Sequence, residues 1–253
     1  TPMILTEHQG KVLTITLNNP AKSNSLHPDL VKSLLVVLKE AATNQEVNAI
    51  VLTGAGKNFC AGLDLALLLT WTPDEKLAYL ETVSSLFIQI WEQPQPVIAA
   101  VRGAALAGGF DLAAFCDLRI ASETAQFGQA EINIGLTQII HPLYKSIGLA
   151  RAKELSLTGL PISAAEAYRI GLVNHVYPEV QVVSQSLELA QLMASKSRYA
   201  LFETKRLTRE LIDLDTKAAL AEINRTFIGC LDSAEHKADL QRVYSKISKS
   251  KSS

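Results

Sequence analysis

The sequence predicts an α/β fold with a helical C-terminal part, and three observations lead to that class. Strand-like and helix-like patterns alternate over the first two thirds of the 253 residues. After Val176 the pattern is almost entirely helical. Hydrophobic residues make up 48% of the chain and charged residues 19%, which supplies a large core and excludes a disordered chain. Because helices separate the strands, we expect a mainly parallel sheet.

Hydrophobic periodicity predicts the N-terminal elements. Residues 13–17 alternate leucine or isoleucine with threonine, a pattern typical of a β-strand. Pro28 suits the first position of a helix whose apolar residues recur on one face up to Ala42. Residues 47–52 predict a further strand, which Gly54 interrupts.

A strong start signal places the next long helix. Thr72 and Glu75 have the spacing of a capping box, and Pro73 stands at the first helical position. The apolar pattern then continues to Trp91. Residues 97–101 predict the strand that follows.

Capping and periodicity also predict the later helices. Ser163 and Glu166 have capping-box spacing, which predicts a short helix over residues 167–170 that Gly171 ends. The remaining helical patterns predict a separate layer or an oligomer contact.

Charge and composition exclude several function classes. The chain has 24 Lys plus Arg and 25 Asp plus Glu, so it has no overall electrostatic reason to bind nucleic acid or an anionic membrane. Charges interrupt the apolar stretches, so we expect no membrane span, and we find no signal-peptide pattern. Three widely spaced cysteines favour a reducing compartment, which predicts a soluble cytoplasmic protein. The five histidines show no ligand spacing, so no metal site is expected.

Two glycine motifs that bind nucleotides are incomplete. Residues 54–56 read Gly-Ala-Gly after a strand, but Phe59 stands where a dinucleotide fingerprint needs its third glycine. A phosphate loop around Lys57 needs glycine at the position of Val51 and serine or threonine at that of Asn58. The sequence therefore does not predict a nucleotide-binding fold of either kind.

Two segments of small residues are candidates for contact with a ligand. They span residues 58–64 and 103–111 and precede helices. Small residues let backbone N–H groups approach a ligand, and free N–H groups at a helix start favour an anion. Two converging donors would form an oxyanion hole. The alternative is that the glycines only permit tight packing between strand and helix.

Two acids follow the second of these segments. Asp111 comes directly after its glycines, and Glu131 follows the sequence Phe-Gly-Gln-Ala. A carboxylate beside an oxyanion hole can move a proton at the carbon next to a carbonyl. The alternative is that Asp111 caps its helix and Glu131 is a solvated or salt-bridged acid.

The order of these motifs resembles the crotonase superfamily, also called the enoyl-CoA hydratase/isomerase family. The resemblance covers nearly the whole chain. It rests on residues 19–26 (Asn-Pro to Asn-Ser-Leu), 59–65 (Phe-Cys-Ala-Gly-Leu-Asp-Leu), 96–109 (Pro-Val-Ile-Ala-Ala-Val to Gly-Gly), 125–131 (Ala-Gln-Phe-Gly to Glu) and 165–176 (Ala-Glu-Ala to Gly-Leu-Val and Val).

The resemblance implies roles for the candidate residues. The backbone N–H groups of Leu63 and Gly108 would hold the thioester oxygen of an acyl-CoA and stabilise an enolate. Glu131 matches the principal acid/base, and Asp111 matches the second acid. Further contacts with CoA or substrate are expected at Lys22, Ser23, Ala61, Gly62, Asp64, Leu65 and Gly109, although Lys22 also fits a solvated surface lysine.

The family also implies an architecture. Residues 1–195 would form a crotonase-like spiral of repeated strand-strand-helix units with the acyl-CoA site, and residues 196–253 a C-terminal helical region for trimerisation. The expected assembly is a homotrimer or a dimer of trimers. Coenzyme A is part of the substrate, and no separate cofactor, metal, nucleic acid or membrane partner is expected.

Two departures leave the reaction type open. Asp111 replaces the glutamate usual in hydratases, so its carboxylate is one methylene shorter. Residues 135–142 replace the usual Pro-Gly-x-Gly-Gly loop after the glutamate. The expected reaction is syn addition of water to a 2-enoyl-CoA. The alternatives are 3-enoyl-CoA to 2-enoyl-CoA isomerisation by Glu131 alone, and a non-catalytic acyl-CoA-binding member of the family.

Overall fold

The computed structural model describes residues 2–250 and contains both strands and helices. The strands are β1 (Ile4–Gln9), β2 (Val12–Leu17), β3 (Ala49–Gly54), β4 (Val97–Val101), β5 (Ala104–Leu106), β6 (Leu118–Ser122), β7 (Gln126–Gly128), β8 (Ile162–Ser163) and β9 (His175–Tyr177). The α-helices are α1 (Pro28–Thr43), α2 (Leu65–Thr70), α3 (Pro73–Glu92), α4 (Gly108–Phe115), α5 (Leu143–Thr158), α6 (Ala164–Arg169), α7 (Val182–Ala194), α8 (Arg198–Glu210), α9 (Thr216–Asp232) and α10 (Ala234–Ser250).

The strands form two sheets. The larger has the order β1-β2-β3-β4-β6-β9, and its strands are parallel from β2 onward. Only the hairpin of β1 and β2 is antiparallel in it. The smaller sheet has the order β5-β7-β8, with β5 parallel to β7. The prediction of a mainly parallel sheet is therefore confirmed.

The central strands lie in the hydrophobic core. Every residue of β3 and β4 is buried. The helices that connect parallel strands pack on the faces of the sheet and cover them. The apolar face of α1 is buried in the same core as the inner face of α3. This core supports the loops that leave the carboxyl ends of β3 and β4.

The helix start signals are confirmed with one change. The Thr72 hydroxyl accepts a hydrogen bond from the Glu75 N–H at 3.3 Å, and the Glu75 carboxylate accepts from the Thr72 N–H at 2.8 Å. The predicted helix over residues 167–170 instead begins at Ala164. It begins there because the Ser163 hydroxyl caps the N–H of Glu166 at 3.2 Å, so the first turn directly follows Ser163.

The C-terminal part is helical, as predicted. By contact density the chain divides into a unit that ends at Gln191 and a unit that begins at Leu192. The second unit contains α8, α9 and α10. Arg206 of α8 pairs with Glu203 of the same helix at 2.8 Å and links α8 to α9 through Glu222 at 3.0 Å. The expected functional division at residues 195 and 196 stays a prediction. Across residues 2–250, every helix is too short or too polar to cross a membrane.

Arg119 on β6 connects α4 to the segment after α6. Its side chain is buried and donates to the backbone carbonyls of Leu172 at 2.5 Å, Ala113 at 3.0 Å and Cys116 at 2.7 Å. Carbonyls at the end of a helix lack partners within that helix, and the planar guanidinium supplies several donors at once. Arg119 therefore holds the C-terminal end of the helix that carries Asp111.

We predict that Arg119→Lys lowers the free energy of unfolding by about 2–4 kcal/mol, because one ammonium group cannot reach all of these buried carbonyls. Urea unfolding would measure the loss. The control is Arg151→Lys, since Arg151 is exposed and pairs with Glu154. Equal stability of the two variants would contradict the prediction.

Candidate active site

The two small-residue segments lie against each other. Cys60 forms a parallel bridge with Ala105 of β5. The Cys60 N–H donates to the Ala104 carbonyl at 3.1 Å, and the Leu106 N–H donates to the Cys60 carbonyl at 3.1 Å. Residues 58–62 thus continue the smaller sheet beyond β5. This pairing brings Leu63 next to the start of α4.

Asn24 holds the first segment in place. Its buried amide donates to the carbonyls of Ala55 at 2.9 Å and Asn58 at 2.8 Å, and its side-chain oxygen accepts from the Asn19 N–H at 2.9 Å. Asn58 in turn donates to the Ser23 hydroxyl at 3.0 Å. The early asparagine and serine therefore act as a scaffold for residues 58–62.

Glycine is required where the segments touch. A Cβ atom on Gly109 would lie 2.1 Å from the Cys60 carbonyl oxygen. A Cβ atom on Gly62, whose φ is +91°, would lie 2.9 Å from the backbone nitrogen of Gly108. Such distances are shorter than any van der Waals contact, so larger residues would separate the segments. The tight packing that was the alternative role of these glycines is thus observed, and their role in admitting a ligand stays a prediction.

Two backbone donors are left free at this junction. Within residues 2–250, neither the Leu63 N–H nor the Gly108 N–H has a hydrogen-bond partner. Gly108 is the first residue of α4, where the helix cannot supply an acceptor and the helix dipole is positive. A partly negative oxygen at this place would receive two N–H donors.

Two adjoining cavities open at these donors. The first has a volume of about 290 Å³ and is lined by Leu63, Gly108, Asp111 and Glu131, with apolar and hydroxyl side chains of α3 and the 135–142 loop. The second, of about 270 Å³, shares Leu63 and Glu131 with the first. The two acids and the two free donors therefore line the same space.

Both acids are buried. Asp111, in the first turn of α4, exposes 2% of its surface, and Glu131, which begins the 3₁₀ turn Glu131–Ile134, exposes 8%. Asp111 accepts a hydrogen bond from the Gln129 amide at 3.1 Å, and one buried oxygen of Glu131, Oε2, has no partner within the described part of the chain. Glu131 is therefore not the solvated acid of the alternative interpretation, and Asp111 is not the cap of α4, since Ala107 holds the N-cap position.

The surroundings raise the pKa of both acids. Burial is the larger cause for Asp111, and the nearby charge of Glu131 raises the Asp111 pKa further, whereas the Gln129 amide opposes the rise. Burial also raises the pKa of Glu131. Two such carboxyls titrate as a coupled pair, so one tends to keep a proton while the other is charged.

The other candidate contacts fall into three groups. Ala61 and Leu65 line the second cavity. The Lys22 ammonium lies 3.5 Å from the carboxylate of the buried Asp64, so these two pair with each other beside the first segment. Ser23, Gly62 and Gly109 contact protein in the packing described above.

Sequence reasoning assigned no role to Gln129. Its side chain is fully buried and contacts Asp111, Ile139 and Ser156. The sequence shows only an amide two residues before Glu131, and nothing in that spacing brings it to Asp111. In residues 2–250, no three or more His, Cys, Asp or Glu side chains are grouped to bind a metal ion.

We predict that Gly109→Ala destabilises the fold by about 1–3 kcal/mol, because its Cβ would collide with a backbone carbonyl that is held in a sheet. The control is Gly108→Ala, whose Cβ would meet the flexible Leu26 side chain at 3.1 Å. Chemical unfolding of both variants would test this, and equal losses would contradict it.

We predict that Asp111→Asn stabilises the protein at neutral pH. Because the folded-state pKa is raised above the unfolded value, stability falls as pH rises from the unfolded pKa through the folded one. Asparagine avoids this loss, so the gain should be small at about pH 4 and larger at about pH 8. Each kcal/mol should raise Tm by about 2–4 °C.

Thermal unfolding across this pH range would measure the effect. The control is Asp239→Asn, since the Asp239 side chain is 42% exposed and pairs with Arg242. A gain that is independent of pH, or equal in both variants, would contradict the prediction.

Comparison with known proteins places this chain in a family. Residues 7–247 match the model of the enoyl-CoA hydratase/isomerase family. The short-chain-enoyl-CoA hydratase of Clostridium acetobutylicum is 34% identical over 238 residues, which cover 92% of this chain and 91% of that protein. The 2,3-dehydroadipyl-CoA hydratase of Escherichia coli is 35% identical over 234 residues, 88% of each chain.

Solved structures agree with the sequence matches. The enoyl-CoA hydratase of Bacillus anthracis superposes with a TM-score of 0.94 at 31% identity, over 96% of each chain. That of Mycobacterium smegmatis gives 0.93 at 29% identity, over 97% of each chain. The fold class implied by the resemblance is thus confirmed. With its sequence matched from residue 7 to residue 247, the chain belongs to the enoyl-CoA hydratase/isomerase family, the crotonase superfamily.

Proposed function

We propose that this protein hydrates 2-enoyl-CoA thioesters. The observation that carries the proposal is the shared cavity, where two free backbone donors lie beside two buried acids. An oxyanion hole alone suits many acyl-CoA reactions, but addition of water needs groups that both give and accept a proton. Relatives named enoyl-CoA hydratases support the proposal.

The N–H groups of Leu63 and Gly108 bind the thioester oxygen. As water adds, negative charge moves from the double bond onto this oxygen, and the two donors stabilise the enolate. Donors that are already in place need no reorganisation when the charge develops, and each is worth on the order of 3 kcal/mol of barrier. The positive end of α4 acts in the same direction.

The two acids divide the proton transfers. Asp111 orients water and accepts one of its protons as the water oxygen bonds to C3 of the substrate. Glu131 gives a proton to C2 on the same face, which completes syn addition. The pair ends with as many protons as it began with, so transfer between the acids resets the site.

The raised pKa values favour one proton on the pair, and the addition uses the state in which Glu131 carries that proton and Asp111 is charged. A carboxyl that keeps its proton near neutral pH can act as an acid, and its charged partner can act as a base. The coupling between Asp111 and Glu131 favours one proton on the pair. The reaction is redox-neutral, so CoA enters as part of the substrate and the proposed chemistry needs no further cofactor.

The proposed substrate contacts lie around the first segment. Ala61 and Leu65 face the second cavity and would contact the thioester arm. Lys22 is 58% exposed at its side chain and pairs with Asp64 of the first segment, so it offers a cation beside that segment for the phosphates of CoA. Gly62, Gly109 and Ser23 contribute by shaping the backbone that carries these contacts.

Isomerisation of a 3-enoyl-CoA to a 2-enoyl-CoA is the second candidate. One observation favours it: Glu131 Oε2 is buried without a hydrogen-bond partner among residues 2–250, so it is free to move a proton between two carbons. This reaction needs the same oxyanion hole but no water. Asp111 would then be dispensable, which separates the two reactions experimentally.

The assembly and location stay proposals. A homotrimer, or a dimer of trimers, agrees with the exposed apolar side chains of α9 and α10, among them Phe227, Ile228 and Val243. A cytoplasmic location agrees with the cysteines, all of which are free thiols, Cys60 and Cys116 being buried.

We predict that Asp111→Asn lowers the rate of hydration by about 100- to 10,000-fold but leaves isomerisation within a few-fold, because only hydration needs a base for water. Loss of a 2-enoyl-CoA and conversion of a 3-enoyl-CoA would be followed separately. Asp239→Asn should leave both rates unchanged.

Other outcomes would decide against the proposal. Full hydratase activity of Asp111→Asn would remove Asp111 from the mechanism. Isomerisation without hydration by the unmodified protein would favour the second candidate. Binding of thioester with no turnover of either substrate would favour the non-catalytic interpretation.

A further inference from the structure

Both the nitrogen and the oxygen of the Gln129 side-chain amide form hydrogen bonds next to Asp111. Its amide nitrogen lies 3.1 Å from Asp111 Oδ1 and 2.6 Å from the Ile139 carbonyl oxygen, and its amide oxygen lies 2.5 Å from the Ser156 hydroxyl. Gln129 exposes none of its surface and Ser156 only 3%. Both N–H donors and the oxygen of the amide are therefore used within the protein.

Ser156 anchors the oxygen end of the Gln129 amide. A charged carboxylate and a backbone carbonyl can only accept hydrogen bonds, so the NH₂ end faces Asp111 and Ile139. The oxygen end then needs a donor, and the Ser156 hydroxyl on α5 supplies it. This is the hydroxyl's one hydrogen bond within residues 2–250, although a serine in a helix commonly bonds to its own backbone.

The same amide holds the loop that lines the cavity. Gln129 binds the carbonyl of Ile139, and the Gln138 side chain returns a hydrogen bond to the Gln129 carbonyl at 3.1 Å. Residues 136, 137 and 139 of this loop line the first cavity with Asp111 and Glu131. A turn of the Gln129 amide would therefore disturb the acid and the cavity wall together.

We propose that Ser156 is a positioning residue for the proposed hydration: it anchors the oxygen of the Gln129 amide, so that the N–H groups of the amide stay in place on the Asp111 carboxylate and on the Ile139 carbonyl of the 135–142 loop. The inference rests on the proposed function, because only the addition of water requires Asp111. Ser156 itself lines neither cavity. It acts through Gln129 and makes no contact with the reacting atoms.

The charges around Asp111 make the hydrogen bond from the Gln129 amide to Asp111 important. Glu131 is the other ionisable side chain that lines the first cavity, and the remaining lining groups of α3, α4 and the 135–142 loop are apolar, hydroxyl or backbone. The Gln129 N–H is the donor that offsets the repulsion between the two acids. If the amide lost its anchor and moved away, its N–H would no longer lower the pKa of Asp111, and that pKa would rise further.

The test compares Ser156→Ala with Ser186→Ala in the full-length protein. Ser186 is a matched control because it is fully buried on α7, and within residues 2–250 its hydroxyl bonds only to a backbone carbonyl, that of Val182 at 2.7 Å. We expect Ser156→Ala to lower kcat for hydration by about 10- to 100-fold with little change in KM. The acid limb of its kcat/KM profile should move to higher pH, and Ser186→Ala should show neither change.

A double-mutant cycle separates positioning from general loss of structure. In a Gln129→Met background, Ser156→Ala should cause no further loss of kcat, because its effect passes through the amide. Equal losses in both backgrounds would overturn the inference, and so would matching kinetics of Ser156→Ala and Ser186→Ala. If Ser156→Ala does not fold, Gln129→Met must itself lower kcat and shift the acid limb, and normal kinetics of that variant would overturn the inference.

The isomerase assay separates this failure from failure of the proposed function. Hydration by the unmodified protein, with no special effect of Ser156→Ala, would reject only the role of Ser156. Isomerisation without hydration by the unmodified protein would reject both. Isomerisation should persist in Ser156→Ala because Glu131 has no hydrogen bond to Gln129.

Discussion

The close contact between Gly109 and the Cys60 carbonyl is the constraint on which the site depends. The start of α4 can reach Leu63 only because no side chain stands between the two segments. The contact is supported from one side by hydrogen bonds to β5 and from the other by the Asn24 amide. It thereby brings together two backbone donors that neither segment could provide alone.

Burial of the two acids is unfavourable for folding, and the same burial gives them the raised pKa values that the proposed reaction uses. Burial raises the pKa of Asp111 and Glu131, and their mutual repulsion adds to the rise at Asp111. Charged side chains in such a place are unfavourable unless donors compensate them. Gln129 supplies such a donor to Asp111, whereas Oε2 of Glu131 has no hydrogen-bond partner within residues 2–250. The two acids therefore have different environments within one cavity.

Local patterns and family motifs predicted much of the fold. The capping box at Thr72 was found because its atoms lie within one helical turn, and the parallel sheet because strands and helices alternate. The short strands β5 and β7 were not predicted. They have three residues each, too few for a periodic pattern, and they exist because they pair with each other.

The sequence by itself determined the residue types at the site and, through their order, the family. Glycines, two acids and a scaffold asparagine can be read from the chain, as can the missing loop motif at residues 135–142. Only the tertiary structure decided how these groups act on one another. The partners of Asp111, namely Gln129 and through it Ser156, lie 18 and 45 residues further along the chain. Hydrogen bonds over such separations depend on how the core packs, which no local pattern records.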